Sequence, residues 1–355
     1  MDTAMKLLNI NQRSNVEKNE TKKTPKRNVK MPNRKVKTPK RANMALHPPT
    51  VQAFTHDDEN KVTEETNSFS ACLLVMDDNH VLKEWLAYHY HTLPLRHLIV
   101  AVDPRSITSP SVILNKWRKH GMVIDEWSDQ NYLSDKLLLL AQNVSQLNET
   151  SIVELHLSRQ REFYQKCMVA LQKQSRTWTM LIDSDEFLMI NKRATDRFNV
   201  TNVPPLEQPG SIMTFLQQEL VKNETEMPQE TPCIMIPRLR FGNRESDPEQ
   251  VNRGVPQGFN ASAFTTLRHR KHAEPVLSKI NKSGKVIVDV SRLHPANMHV
   301  NNPHRPLFVY CPKSELYTQI KDNLLVLHHY SGTLDQFTFR DDYRRDAKAK
   351  KAFAQ

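Results

Sequence analysis

The first strongly apolar run of the chain, Phe69-Ser70-Ala71-Cys72-Leu73-Leu74-Val75-Met76, ends at polar Asp77-Asp78-Asn79. Its length and its bounds predict a buried strand. From His80 to Thr92 the spacing turns helical, with Asp78 or Asn79 placed to cap it. A second apolar run, His97-Leu98-Ile99-Val100-Ala101-Val102, stops at Asp103, and a helix through Ile113 to Trp117 leads past Gly121 to Met122-Val123-Ile124. This β-α-β-α-β order predicts a mainly parallel, twisted sheet flanked by helices, an α/β fold. Residues 133 to 150 mix helical and loop signals, whereas Leu157 to Lys173 sets Phe163, Cys167, Ala170 and Leu171 at roughly helical spacing. Further on, Pro, Asn and Glu surround one short predicted helix, Ser211 to Leu220, before Cys233-Ile234-Met235-Ile236 resumes strand character.

The most informative break in the pattern is Trp178-Thr179-Met180-Leu181-Ile182, which runs into Asp183-Ser184-Asp185-Glu186 and then into apolar Phe187-Leu188-Met189-Ile190. Three carboxylates so close together need a cation nearby. Open α/β sheets bind ligands just beyond the carboxyl ends of their strands. An extended exit from the strand would point Asp183 and Asp185 to one side and turn Ser184 away. Such a pair suits a hard divalent ion shared with a phosphate-bearing substrate. Solvated turns and helix caps are also acidic, but here the acids are enclosed by buried positions on both sides.

Charge adds less than its total suggests. The formal net charge is +11, yet residues 1 to 44 hold 13 Lys and Arg against 3 acids, so the rest of the chain is close to neutral. The globular body is therefore not a nucleic-acid surface by composition. The basic tail, with Lys22-Lys23-Thr24-Pro25-Lys26-Arg27, lacks apolar periodicity and is expected to be a disordered linker or a polyanion-binding arm over residues 1–68. A globular domain is expected over 69–345, with a short basic tail at 346–355. No apolar window reaches the roughly 18 residues needed to span a bilayer, and no signal peptide is recognisable. Seven Asn-x-Ser/Thr sequons, at Asn19, Asn143, Asn148, Asn199, Asn223, Asn260 and Asn281, nevertheless point to a secretory lumen such as the Golgi. Cys72, Cys167, Cys233 and Cys311 are too widely spaced for a zinc site. Cys72 and Cys167 read as small buried hydrophobes, and a Cys233–Cys311 bridge is left open.

Several separated blocks occur in order: Glu84-Trp85-Leu86-Ala87-Tyr88-His89, Ile182-Asp183-Ser184-Asp185-Glu186-Phe187, Arg240-Phe241-Gly242-Asn243, Lys279 with Gly284-Lys285-Val286, and His328-His329-Tyr330 before Phe339-Arg340-Asp341-Asp342. With these blocks the sequence resembles the family 92 glycosyltransferases and their relatives of the GT-A fold. The resemblance implies a metal-dependent, inverting transfer of a sugar from a UDP-sugar, galactose in that family, to a glycan or polysaccharide. It implies Mn²⁺ or Mg²⁺ held against the diphosphate by Asp183 and Asp185. A further ligand from the C-terminal part would be a His, with His299 and His328 ranked ahead of His294 and His329. Two features depart from the family: Gly332-Thr333-Leu334-Asp335 lacks a Trp found there in some relatives, and no membrane anchor is seen.

The remaining roles follow from residue chemistry. Asp103, at a strand end, is placed to accept hydrogen bonds from a nucleotide base or ribose. Arg159 and Arg161, at the start of the helix before the acidic strand, are placed to offset diphosphate charge. An inverting transfer needs a base within reach of the acceptor hydroxyl, for which Glu245 ranks first and Glu274 second. His89 lies on an aromatic helix face with Trp85 and Tyr88 and reads as packing. Glu186 reads as a neighbouring support for the acidic pair. Two other classes stay open: an inactive domain of this fold that binds polyanions through its tail, and a metal-dependent phosphohydrolase.

Overall fold

The computed structural model describes residues 68–221, 232–242, 244–253, 255–272, 284–304, 306–307, 309–311 and 320–340. The two tails expected at 1–68 and 346–355 lie outside them, apart from Ser68. Nine strands are described: β1 (Phe69–Val75), β2 (Leu95–Val102), β3 (Val123–Trp127), β4 (Trp178–Leu181), β5 (Glu186–Ile190), β6 (Cys233–Ile236), β7 (Arg238–Phe241), β8 (Lys285–Asp289) and β9 (Leu325–Tyr330). The longer helices are α1 (Asn79–Thr92), α2 (Ser111–Lys119), α3 (Glu149–Lys173) and α4 (Ser211–Val221), with a short α5 (Leu334–Phe339) near the end.

The central sheet has the order β3-β2-β1-β4-β8-β6. β1 lies parallel to β2 and β4, and β2 lies parallel to β3. β8 runs antiparallel to both neighbours, so it alone is reversed in an otherwise parallel sheet. The expected α/β fold, with a mostly parallel sheet flanked by helices, is the observed one. A second sheet, β5-β9-β7, was not foreseen. It starts where the chain leaves β4, turns at the acids and re-enters as β5.

Both faces of the central sheet are buried at β1, β4 and β8, and these strands read as largely apolar runs for that reason, whereas the edge strand β3 is only partly buried. Along β1, Phe69, Ala71, Leu73 and Val75 pack with α1, α2 and the small sheet. The alternate residue Cys72 joins Ile99, Ala101 and the Phe163, Tyr164 and Leu171 face of α3 on the other side. Cys72 and Cys167 are not the small free hydrophobes expected. They form a disulfide, because the α3-facing position of β1 and the sheet-facing position of α3 bring their Cα atoms to 6.0 Å, inside the range a disulfide bridges. The bridge left open, Cys233–Cys311, is formed as well, at 5.4 Å.

Helix α3 begins eight residues earlier than expected. Asn148 caps it, its side chain accepting from the Ser151 N–H at 2.9 Å, which accounts for the ambiguous stretch before Leu157. Of the sequon asparagines, Asn148, Asn199 and Asn260 are exposed and Asn143 is half-buried, while Asn19, Asn223 and Asn281 lie outside the described residues. Among the described residues no helix is long and apolar enough to cross a membrane.

Candidate functional site

The turns that leave β1, β2 and β4 meet at the carboxyl edge of the parallel strands, around a cleft of about 320 Å³. Asp78, Asp103, Asp183 and Asp185 all line it, opposite His156 and Arg159 of α3. This is where an open parallel sheet binds its ligands. Residues far apart in sequence thus gather around the acidic strand end, Asp103, Arg159, Asp183 and Asp185 among them.

The acids sit on a tight turn rather than on the extended exit expected. Glu186 N–H donates to Asp183 O at 3.1 Å, and the Glu186 carboxylate accepts from the Asp183 N–H at 2.9 Å. A reversal this tight leaves no room for simple alternation. Ser184 consequently lines the cleft with the two Asp residues instead of turning away. Glu186 is fully buried and also binds Arg238 Nη1 at 3.1 Å. It supports the turn from beneath, as expected.

β9 closes the cleft from the small sheet. Its last residue, Tyr330, donates its N–H to Asp185 O at 2.9 Å, and His329 pairs across from Glu186 on β5. His329 Nε2 therefore stands 3.5 Å from Asp185 Oδ2. Burial disfavours the charged ring, but the Asp185 charge and hydrogen bond outweigh it and raise the His329 pKa. Asp185 Oδ1 is buried with no hydrogen-bond partner among the described residues. A hard carboxylate oxygen left open beside an imidazole is a donor set suited to Mn²⁺.

Asp183 has a different companion. Lys285 Nζ, on the first residue of β8, is 2.7 Å from Asp183 Oδ1 and 4.0 Å from Glu186 Oε2. Burial pushes against both charges, yet their attraction holds Asp183 far below the usual carboxylate range and raises Lys285. His304, whose Nδ1 lies 3.3 Å from Gly284 O, borders the same cleft. Burial, with the Lys285 and Arg238 charges behind it, lowers the His304 pKa to about 4, so the ring is neutral at pH 7.

Asp103 is bound at 2.8 Å by Arg105 and faces His156 at 3.8 Å. Burial raises its pKa, but the neighbouring His156 and the hydrogen bonds and charge of Arg105 outweigh this and keep it ionised. Arg159 reaches into the cleft from the middle of α3, held by Asp129 at 2.6 Å. Arg161, two residues on, faces away and pairs with Glu154. Positions two apart on a helix point in nearly opposite directions, so the structure brings one of the two arginines to the site and not the other. Nor is either at the start of the helix, since α3 opens at Glu149.

The remaining residues lie elsewhere. His299 is exposed on the loop after β8. His328 points to the other side of β9 from His329, its ring 4.7 Å from that of Phe241, and burial lowers its pKa to about 3. Glu245 is exposed and paired with Arg268, outside the cleft lining. Glu274 and Lys279 lie outside the described residues. Among the described residues no three His, Cys, Asp or Glu side chains gather closely enough to form a ready metal cage. Lys285, Arg238 and His304 were not assigned from sequence, and His329 was ranked behind His299 and His328, although Lys285 and His329 lie in blocks the family resemblance had singled out.

The Glu84 to His89 block explains how the turn is held. β5 is an edge strand, and α1 satisfies its free edge: Trp85 Nε1 donates to Glu186 O at 2.9 Å, Tyr88 OH donates to Leu188 O at 2.6 Å, and Leu188 N–H donates to His89 Nε2 at 3.3 Å. With Nε2 accepting, His89 Nδ1 carries the proton and donates to Trp85 O at 3.0 Å. Burial lowers this pKa to about 3, so His89 is a neutral packing residue, as expected.

Glu84 faces the other way and accepts from the Thr265 and Thr266 N–H groups and the Thr266 hydroxyl. Burial raises its pKa from 4.5 to about 7, against those hydrogen bonds. Between these values the folded chain binds more protons at Glu84 than the unfolded chain does. The stability this provides is full below pH 4.5 and is lost as pH rises through 7. Glu84→Gln is therefore expected to gain in melting temperature relative to the native chain as pH rises from about 5 to 7.5. Thermal melts at both pH values check this, and a constant difference contradicts it.

No protein-family model and no curated protein matches the sequence. Among solved structures the chain is similar to the crystal structures of S. aureus TarS 1-349 and S. aureus TarS, at 11% identity in both cases. The match covers 81% of this chain with 69% and 42% of those chains, at TM-scores of 0.28 and 0.27. Likeness at that level carries no weight for this chain.

Proposed function

We propose that this chain is a glycosyltransferase that takes a sugar from a nucleoside diphosphate sugar, with UDP-galactose the donor class the motif resemblance implies, and passes it to a glycan or polysaccharide. The observation that carries this reading is the Asp183-Ser184-Asp185 turn at the carboxyl edge of the parallel strands, with His329 beside Asp185 and with Asp103 and Arg159 across the same cleft. A phosphohydrolase would share the acids. It has no use for a cleft that extends from them to the end of β2.

Asp185 and His329 would hold Mn²⁺ or Mg²⁺, with Asp183 beside them, and the ion would act as a Lewis acid on the departing diphosphate. The buried Asp185 Oδ1, without a hydrogen-bond partner among the described residues, fits that role. Asp103, kept ionised by Arg105, accepts hydrogen bonds from ribose or base. Arg159, already aligned by Asp129, offers charge to the phosphates without first losing freedom. Two disulfides and surface sequons suit an oxidising secretory compartment, which supports the expected lumenal setting.

Calorimetric titration of the full chain with UDP, with and without Mn²⁺, tests the proposal. Binding of UDP that strengthens at least about tenfold with Mn²⁺ is expected, the scale of ordinary coupling between adjacent ligands. Absence of UDP binding in both conditions overturns it.

A further inference from the structure

Resting on that reading of the cleft, we propose that Lys285 is a resident counter-ion which occupies Asp183 in place of a divalent ion. The protein alone then binds Mn²⁺ weakly, through Asp185 and His329, and acquires it firmly only together with the diphosphate. Lys285 thereby sets the order and strength of metal binding.

An ammonium group only 2% exposed is costly unless paired. Here it is paired with the more exposed of the two cleft-lining acids of the turn: the Asp183 side chain is 41% exposed against 19% for Asp185, yet its Oδ1 is taken at 2.7 Å. The backbone fixes this placement. A Cβ on Gly284 would stand 2.6 Å from Ile236 O, so only glycine lets the start of β8 press against the end of β6 and deliver Lys285 beneath the turn.

The charges decide the consequence. Lys285 and Arg238 offset two of the three negative charges carried by Asp183, Asp185 and Glu186, while Asp78 on the same cleft is paired with Arg340. That is a poor seat for a divalent ion, because a fixed positive charge a few ångströms away repels it. A nucleoside diphosphate brings several negative charges to the same place and makes the seat attractive. By linkage each ligand then strengthens the other equally.

The test is Mn²⁺ titration of the full chain without nucleotide, followed by the electron paramagnetic resonance signal of free Mn²⁺, for the native protein, Lys285→Met and Lys285→Arg. Lys285→Met is expected to bind Mn²⁺ about tenfold more tightly than the native protein, within the usual span of site coupling, and Lys285→Arg to match the native protein. Equal or weaker binding by a folded Lys285→Met overturns the proposal and leaves Lys285 a purely structural partner of Asp183. A second measurement needs no variant: UDP is expected to tighten Mn²⁺ binding to the native chain, and tight Mn²⁺ binding that UDP does not change overturns the proposal. If UDP itself never binds, the glycosyltransferase reading falls, whereas the Lys285→Met titration still decides the role of Lys285.

Discussion

Asp185→Asn is expected to lower sugar transfer from a UDP-sugar by at least about a hundredfold, the scale of losing one preorganised electrostatic contact at a reacting centre. Asp185 is where the two halves of the site join. Its backbone carbonyl receives Tyr330 N–H at 2.9 Å, its Oδ2 faces His329 at 3.5 Å, and its Oδ1 is buried without a hydrogen-bond partner among the described residues. Asn keeps the shape and the carbonyl contact but removes the charge. The fold should therefore survive, and the melting temperature is the control that shows it. Asp183→Asn should lose less than Asp185→Asn, since Lys285 already occupies Asp183. Transfer rates for both variants, measured with Mn²⁺ and a panel of nucleotide sugars, check the ranking. Unchanged activity in both variants rules out the acidic turn as the site.

Trp85→Ala is expected to cost about 3–5 kcal/mol of stability, the range for deleting a large buried aromatic. Trp85 is fully buried, packs its ring 4.4 Å from that of His89 at a tilt of 57°, and gives the Glu186 carbonyl its donor. Removing it opens a cavity and also strands a buried acceptor, a further penalty. Because α1 supplies the free edge of β5 with its partners, the loss reaches the acidic turn through the backbone. Trp85→Phe keeps most of the packing and loses the N–H, so it should fall about 1–3 kcal/mol below the native chain. Urea unfolding of the two variants measures both effects, and a loss under about 1 kcal/mol for Trp85→Ala contradicts this account of the edge.

The first two strands and the acidic strand end were legible because strands buried on both faces are apolar for most of their length, and the acids end such a run abruptly. The direction of β8 was not legible, since apolar content is the same whichever way a strand runs. The choice between His328 and His329 failed for a related reason. Alternation along β9 separates the two rings, but only the pairing of His329 with Glu186 shows which one faces the cleft. Likewise, spacing alone does not tell that Cys72 and Cys167 face each other, because the phase of α3 against β1 is set by packing. Lys285 was missed since a buried lysine is recognisable only by its partner. The Gly284-Lys285-Val286 block carried the signal without its meaning.

The Cys72–Cys167 bond joins the strand under the cleft to the helix that lines one side of it. His156 and Arg159 sit on that same helix, eleven and eight residues before the bridge. That side of the cleft is thus welded to its floor, and α3 cannot swing away from β1 without breaking a covalent link. The opposite side, where Arg340 reaches back to Asp78 from beyond α5, is fastened to the β1–α1 turn by an ion pair. The two sides of the cleft are thus fastened by different means, one by a covalent bond and the other by an ion pair that salt weakens.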